Sequence, residues 1–548
     1  MKMTGRVYRD DQNDLSSDEL QATFQSMISD AIELLEDDTA ELELGLTEEA
    51  EEDQLRAKLL RGYQYILVDE YQDIDEDQYR LISALSGRNR SEEEGKLTIL
   101  AVGDDDQNIY AFRGTSNEYI DRFTADYDAK ISYLVENYRS TQAIIDLSNA
   151  AIEKNQERLK ADHPIEINEA RKNDPYTGRW ETLDPKRQGH VVVRVLQKAS
   201  YKTQAFLVLH ELKRLQEIDA EVLYSTAILA RTHEALMVFA GGLEDLGYDY
   251  YYESDKDKTF HTRAHRYFKQ LLDFVAMRRE PETALTLYEA LQTSQLLEAI
   301  PSRWQLYFSE MFEQLRLEFG GLVLQPASVI QWIKAYGHEV PIAIRKGVFL
   351  GTIHSAKGLE FDHLFLIDHL NKQFQEMEEV ERRLYYVGMT RAKETLMICS
   401  FTENSPFVPE LETVKKSIIT DHYNQEGLAK EYLLLGPKDI YMDFLGMQRN
   451  HRAREVSLTL HEGDALTATW RNGHWFFSDP RTGIDVARSS ANFVRNHSFT
   501  ASDIADCRVH SITERERDLI KDESFRERCQ GETWEAIQPL IILSRESH

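Results

Sequence analysis

The sequence predicts an α/β protein built on parallel sheets covered by helices. Two observations carry this. Apolar runs at 65–68, 97–102, 190–196, 226–230, 348–353, 363–368 and 395–399 have helical patterns between most of them. Several of these runs then stop at polar or acidic residues, as strands do where a ligand is bound at their carboxyl ends.

The order of elements begins with residues 16–36. Ser16 and Glu19 have capping-box spacing, and Leu20, Phe24, Met27, Ala31, Leu34 and Leu35 recur at helical period. The acidic stretch from Glu41 to Asp53 reads as a solvated helix or loop. Tyr65–Val68 reads as a buried strand ending in Asp69 and Glu70, within ILVDEYQD. Paired acids at such a place suit one that holds Mg²⁺ and one that polarises an attacking water. The strand LTILAVGD follows, running into DDQNIYAFRG. Gln107 stands where it can bond a γ-phosphate or its water, and Tyr110, Phe112 and Arg113 suit base stacking and phosphate contact. A core turn with buried aromatics explains that segment equally well.

VENYRST (135–141) sets Tyr138 beside Arg139, TIHSAKGLEFD (352–362) reads as strand, turn and helix start, and ERRLYYVGMTRAK (381–393) puts Arg383 and Arg391 on an apparent helix. Residues 256–345 read as a helical insertion. LTLHEGDALTATWRNGHWFFSDPRTG alternates at period two, with Asn472-Gly473 at a tight-hairpin position. Its aromatics read first as a core; Arg471, Arg481 and Arg488 leave a nucleic-acid or protein contact open.

Composition sets limits. The 548 residues allow three or four domains, and 42% hydrophobic content is that of a globular protein. A formal net charge of −31 argues against nucleic acid but leaves room for a local basic, aromatic track. Cys399, Cys507 and Cys529 are too dispersed for a metal or disulfide framework, which implies a reducing, cytoplasmic setting. No signal peptide or membrane span is expected.

Taken in order, these segments resemble the superfamily 1 DNA helicases of the UvrD/Rep type. DEYQD looks like their motif II, GDDDQNIYAFRG motif III, NYRS motif IV, TIHSAKGLEF motif V and RRLYYVGMTRAK motif VI. TAILARTHEAL (226–236) resembles the return to their second RecA-like domain. The resemblance implies two RecA-like (P-loop NTPase) domains, the first incomplete, with a helical insertion and a C-terminal small all-β module. The corresponding division is an acidic helical segment at 1–60, a partial first RecA-like domain at 61–130, and the second at 131–255 and 346–405. The insertion occupies 256–345, a helical linker 406–455, a β-barrel-like module 456–498 and a polar helical tail 499–548.

The resemblance further implies an ATP- and Mg²⁺-dependent 3′-to-5′ helicase acting on single-stranded or partially duplex DNA. Asp69 would be the metal carboxylate, Glu70 the catalytic base, and Gln107 the link between γ-phosphate and DNA. Arg139 and Arg391 would be the γ-phosphate arginines. Tyr138 would stack near the adenine, Glu360 lie by the ribose, and Lys357, Gly358 and Arg383 belong to the nucleotide site. Tyr110, Phe112, Arg113, Thr352 and His354 would face single-stranded DNA.

One part of that pattern is missing from these residues: no G-x-x-x-x-G-K-[ST] occurs. Its absence implies a protein partner or upstream segment that supplies the phosphate loop. It also implies an open apolar edge at Leu97–Val102 and carboxylates crowded at one strand end without a compensating lysine. A non-catalytic DNA- or protein-binding subunit is the alternative. A nuclease is disfavoured, since no acid cluster with a following E-x-K appears after residue 393.

Overall fold

The computed structural model describes residues 62–88, 96–110, 117–156, 158–184, 191–196, 201–252, 265–339, 347–367, 378–401, 418–423, 430–448, 451–520 and 523–544, with a few single positions before them. Within the expected helix over 16–36, Ile28, Ser29, Ala31, Ile32 and Leu35 are helical; its other residues, and the acidic stretch 41–53, lie outside the described residues. The chain divides into two compact units. The first gathers Met1–Glu136, Ile152–Ile165 and Glu376–Tyr386, and the second the remainder.

In the first unit, β1 (Tyr65–Val68) and β2 (Thr98–Ala101) pair in parallel with Leu67 opposite Leu100. They are joined through α1 (Glu76–Ser86), whose start is closed by a reciprocal Asp75–Gln78 capping box and whose end stops at Gly87 with φ 73°. With α2 (Glu118–Tyr127), α1 contributes to a core of Tyr71, Ile74, Tyr79, Tyr119 and Phe123, against which Val68, Ile99 and Ala101 pack.

The expectation of a buried β1 is corrected here. Tyr65, Leu67, Leu100 and Val102 are exposed, Leu67 at 73%. Among the described residues the sheet has only two strands, and the strand side chains of the core all come from one face. Parallel strands are normally covered on both faces, whereas the other face of this pair is exposed at Tyr65, Leu67 and Leu100.

The second unit is organised by a seven-stranded parallel sheet. Its members are β3 (Val191–Leu196), β4 (Thr226–Ala230), β5 (Tyr250–Tyr252), β6 (Val348–Thr352), β7 (Phe361–Ile367), β8 (Ala392–Phe401) and β9 (Ile418–Tyr423), in the order β9-β3-β8-β7-β4-β6-β5. The apolar runs at 190–196, 226–230, 348–353, 363–368 and 395–399 fall on β3, β4, β6, β7 and β8; β5 and β9 were not among the expected runs. The fully buried β4 and nearly fully buried β7 explain why they read as continuous apolar runs.

The helices between β5 and β6 have a core of their own, with Phe268, Trp304, Phe308, Phe312 and Trp332. They are anchored by Arg266, whose guanidinium donates to Glu535 twice at 2.5 Å and to the Ser457 carbonyl at 2.7 Å.

C-terminal to these, β10 (Glu431–Leu434) is followed by a meander of β11 (Thr467–Arg471), β12 (His474–Asp479) and β13 (Ile484–Arg488). Asn472 and Gly473 turn the first hairpin with φ 49° and 77°, the left-handed pair a two-residue turn requires. Trp475 and Phe477 are buried in the core, and Arg471 and Arg481 are paired with Asp485 and Asp479 at 2.6 and 2.9 Å.

Two sequence expectations fail in this region. The stretch 406–455 is helical only at its end, where the helix His451–Leu458 begins; before that, where described, it contributes β9 and β10. The tail 499–548 is not a helical tail: β14 (Ile504–Glu516) and β15 (Thr533–Leu543) form a long antiparallel hairpin. Register shifts between Ile504 and Asp506 and between Val509 and Ser511 break the period-two pattern, so a charge-rich strand loses its sequence signature. Cys507, Ile512, Ile537 and Ile541 of this hairpin share one core with Trp475 and Phe477. The core that holds Trp475 and Phe477 therefore extends beyond the stretch 456–498.

Candidate functional site

At the carboxyl end of β1 the chain turns sharply. Glu70 adopts φ 52°, ψ 42°, a left-handed conformation that costs a non-glycine residue about 1–3 kcal/mol. The backbone N–H of Glu70 donates to Asp69 Oδ1 at 2.9 Å, and both acids are exposed. Tyr71 N–H donates to the Val102 carbonyl at 2.9 Å, tying this turn to the end of β2. An exposed carboxylate such as Asp69 fits Mg²⁺, which takes one or two protein carboxylates and draws its other ligands from phosphate and water.

Gln72, which sequence reasoning missed, is wholly buried between the two strand ends. Its Nε2 donates to Glu70 Oε2 at 2.5 Å, and its Oε1 accepts from the Asp104 N–H at 2.9 Å. The fit requires glycine at 103, because a Cβ there would stand 2.6 Å from Gln72 Oε1. Its sequence signal is its place two residues beyond the acid pair in DEYQD.

Asp104 then accepts from Gln107 Nε2 at 2.8 Å. The expected crowding of acids without a lysine is also corrected. Lys160 Nζ lies 2.6 Å from Asp104, Arg158 donates to both oxygens of Asp106 at 2.8 Å, and Leu159 N–H donates to Asp105 at 2.6 Å. Burial raises the Asp105 carboxyl, with the Leu159 N–H opposing and the neighbouring Asp106 and Asp104 charges adding to the rise. Asp104, Asp105 and Asp106 are close enough together to hold a metal, but these cationic and amide donors already engage them. The compensating cations escaped notice because they lie some fifty residues downstream, outside every motif. Tyr110 is half-buried beyond this turn; Phe112 and Arg113 lie outside the described residues.

A second cluster forms within the second unit. Arg139 is ion-paired with Glu360, and Lys393 lies 3.2 Å from the same carboxylate. Partial burial pushes the Glu360 carboxyl up, but the Arg139 and Lys393 charges and hydrogen bonds outweigh it and hold it below the usual range. Arg139 Nη1 donates to the Thr390 carbonyl at 3.3 Å, while Arg391 Nη2 donates to the Thr390 hydroxyl at 3.2 Å and its Nε to the Val387 carbonyl at 3.0 Å. Ser140 Oγ donates to the Ala392 carbonyl at 2.6 Å, so NYRS and TRAK are stitched together.

Arg391 is not on the helix as expected. α3 (Glu378–Met389) stops short of it, and Arg391 occupies the turn into β8, where its carbonyl accepts from Phe361 N–H at 2.9 Å. That pairing leads directly into β7–β8 and ends helical hydrogen bonding. Arg383 lies on α3, buried, with Glu379 at 4.0 Å, in the part assigned to the first unit. Tyr138 is 69% exposed, its carbonyl held by Arg171 at 2.9 Å.

Thr352 ends β6 and its hydroxyl accepts from Ser355 N–H at 3.1 Å, opening a turn that contains half-buried His354 and Lys357 and reaches Gly358. Gly358 has φ 83° and open space around it. The structure thus links Asp69, Glu70 and Gln107 in one cluster through Gln72 and Asp104. It gathers Arg139, Glu360 and Arg391 in another.

Residues 2–128 match the UvrD/REP helicase N-terminal domain, and residues 336–403 the UvrD-like helicase C-terminal domain. The chain is 27% identical over 416 residues to DNA helicase II of Haemophilus influenzae, covering 62% of this chain and 55% of that one. It is 26% identical over 430 residues to the putative ATP-dependent DNA helicase YjcD of Bacillus subtilis, covering 63% and 53%. With the ATP-dependent DNA helicase PcrA of Staphylococcus aureus the identity is 24% over 442 residues, covering 66% and 59%. The chain spans about half the length of the curated relatives it matches. No helix among the described residues is long and apolar enough to cross a membrane.

Proposed function

Because the chain belongs to the UvrD/Rep-type DNA helicases, we propose that it acts as the motor portion of an ATP-dependent 3′-to-5′ helicase tracking along single-stranded DNA. The observation that carries this reading is the Asp69–Glu70 pair at the carboxyl end of a parallel strand, with Gln107 just past the neighbouring strand. Catalysis of phosphoryl transfer is largely positioning and charge stabilisation, and the residues suit both.

In this reading the two lobes are RecA-like. Glu70 accepts a proton from the attacking water, and Gln107 senses the γ-phosphate. Arg139 and Arg391 supply charge to the transferring phosphoryl group. Tyr138, exposed, stacks on the base, while Glu360, Lys357, Gly358 and Arg383 complete the nucleotide contacts. Tyr110, Phe112, Arg113, Thr352 and His354 grip DNA. Mg²⁺ held by Asp69 would neutralise phosphate charge. Cysteines without a disulfide fit a cytoplasmic setting: Cys399, Cys507 and Cys529 are buried and none is disulfide-bonded.

The phosphate loop comes, in this reading, from a partner or an upstream segment. The bare apolar face of β1 and β2 supports that, as does the edge of β2 that carries no further strand among the described residues. A non-catalytic DNA- or protein-binding subunit is the competing reading, favoured by the absence of G-x-x-x-x-G-K-[ST].

The test is ATP hydrolysis by the chain, with and without single-stranded DNA and with a loop-bearing segment added, beside Glu70→Gln. DNA-stimulated hydrolysis that falls by about 10²–10⁴-fold in Glu70→Gln supports the motor. DNA binding without hydrolysis under every addition supports the binding subunit.

A further inference from the structure

Gln72 has no exposed surface, and both ends of its amide are engaged. The direction of that amide follows from its partners: the Glu70 carboxylate only accepts, and the Asp104 N–H only donates. Nε2 must therefore point at Glu70 and Oε1 at Asp104. Asp104 in turn receives Gln107 Nε2 at 2.8 Å and Lys160 Nζ at 2.6 Å. Hydrogen bonds thus join Glu70 to Gln72 and Gln72 to the Asp104 backbone, and the carboxylate of the same Asp104 joins Gln107.

Two further features tighten it. Glu70 sits in a left-handed backbone conformation, which a non-glycine residue keeps only when its surroundings over-determine it. Gly103 brings the second strand end so close that any side chain there would collide with the Gln72 amide.

We infer that Gln72 is a positioning residue whose amide locks the Glu70 carboxylate to the Gly103–Asp104 turn, so that Glu70 and Gln107 are oriented together. This rests on the reading of Glu70 as the base. It adds that the base has no independent orientation: a shift of Gln107 on meeting phosphate or DNA is transmitted to Glu70 through two side chains.

Gln72→Glu separates this role from simple packing. A protonated carboxyl reproduces both bonds, donating to Glu70 and accepting from Asp104. An ionised one still accepts from Asp104 but repels Glu70. DNA-stimulated hydrolysis by the full chain, with the loop-bearing segment supplied, should stay near wild type at the acid end of the Gln72→Glu profile. It should then fall as pH rises, a limb absent from wild type.

Gln72→Leu should lose roughly 10²-fold in kcat at every pH, with KM for ATP little changed. Equal losses in both variants without a new pH limb would overturn the inference, since packing alone would then account for them. Amide hydrogen exchange at Asp104 decides the same point without turnover. The amide should be protected in wild type and Gln72→Glu and exposed in Gln72→Leu; equal protection in all three overturns the inference. Absence of hydrolysis in wild type would instead sink the motor reading and leave the exchange result standing.

Discussion

Arg158 clamps Asp106 through two parallel hydrogen bonds of 2.8 Å, with the side chains 6% and 0% exposed. A bidentate, desolvated pair of this kind fixes the DDDQ turn from a segment some fifty residues away. Both members depend on each other, because removing either strands most of the other's buried charge.

Arg158→Ala should therefore destabilise the first unit by about 3–5 kcal/mol. The lower end is expected, because Lys160 stands 3.6 Å from the same carboxylate and relieves part of the stranded charge. Urea unfolding followed by Tyr fluorescence measures it. The double variant Arg158→Ala/Asp106→Ala should recover part of the loss; a double variant no better than the single would deny that the stranded carboxylate causes it.

The bare face of β1 gives a prediction of opposite sign. Leu67 is 73% exposed, so Leu67→Lys should change stability by no more than about 0.5 kcal/mol while raising solubility. If a loop-bearing segment covers this face, the same change should abolish its binding. Light scattering and a pull-down with that segment test both; a stability loss well above 1 kcal/mol would mean the face is already covered.

His363 makes the second unit sensitive to acid. Burial lowers its imidazole from 6.5 to about 4, with the ring bonded to Thr395 Oγ1 at 2.8 Å and edge-on to Trp180. The unfolded chain therefore takes up this proton first. The contribution is complete above about pH 6.5 and is lost as pH falls towards 4, amounting to about 3 kcal/mol. Denaturant midpoints at pH 7, 5.5 and 4.5 should show this loss, and His363→Gln should remove that part of the slope. Identical slopes in the two proteins would refute the assignment.

The parallel strands and acid-bearing strand ends were legible because local periodicity and residue chemistry set them. Asn472-Gly473 was legible for the same reason, since two residues needing positive φ sit side by side. The hairpin of β14 and β15 was not. Two register shifts erase its alternation, and its charged positions resemble a solvated helix until the partner strand is in place. Arg391 was assigned to a helix because a helical pattern cannot show where β7 will pair and stop it.

What the sequence determined by itself is which residue types stand at the strand ends: Asp69 and Glu70 after β1 and Gln107 after β2, with Arg139 and Arg391 singled out only by the resemblance of their segments. Covalent neighbours suffice for the placement. Tertiary structure alone decided that Gln72 bridges two strand ends, that Arg158 and Lys160 neutralise the acids, and that Thr390 gathers both arginines. Each of these depends on groups brought within about 3 Å from tens or hundreds of residues apart, and hydrogen bonds of that length are set by packing rather than by order along the chain.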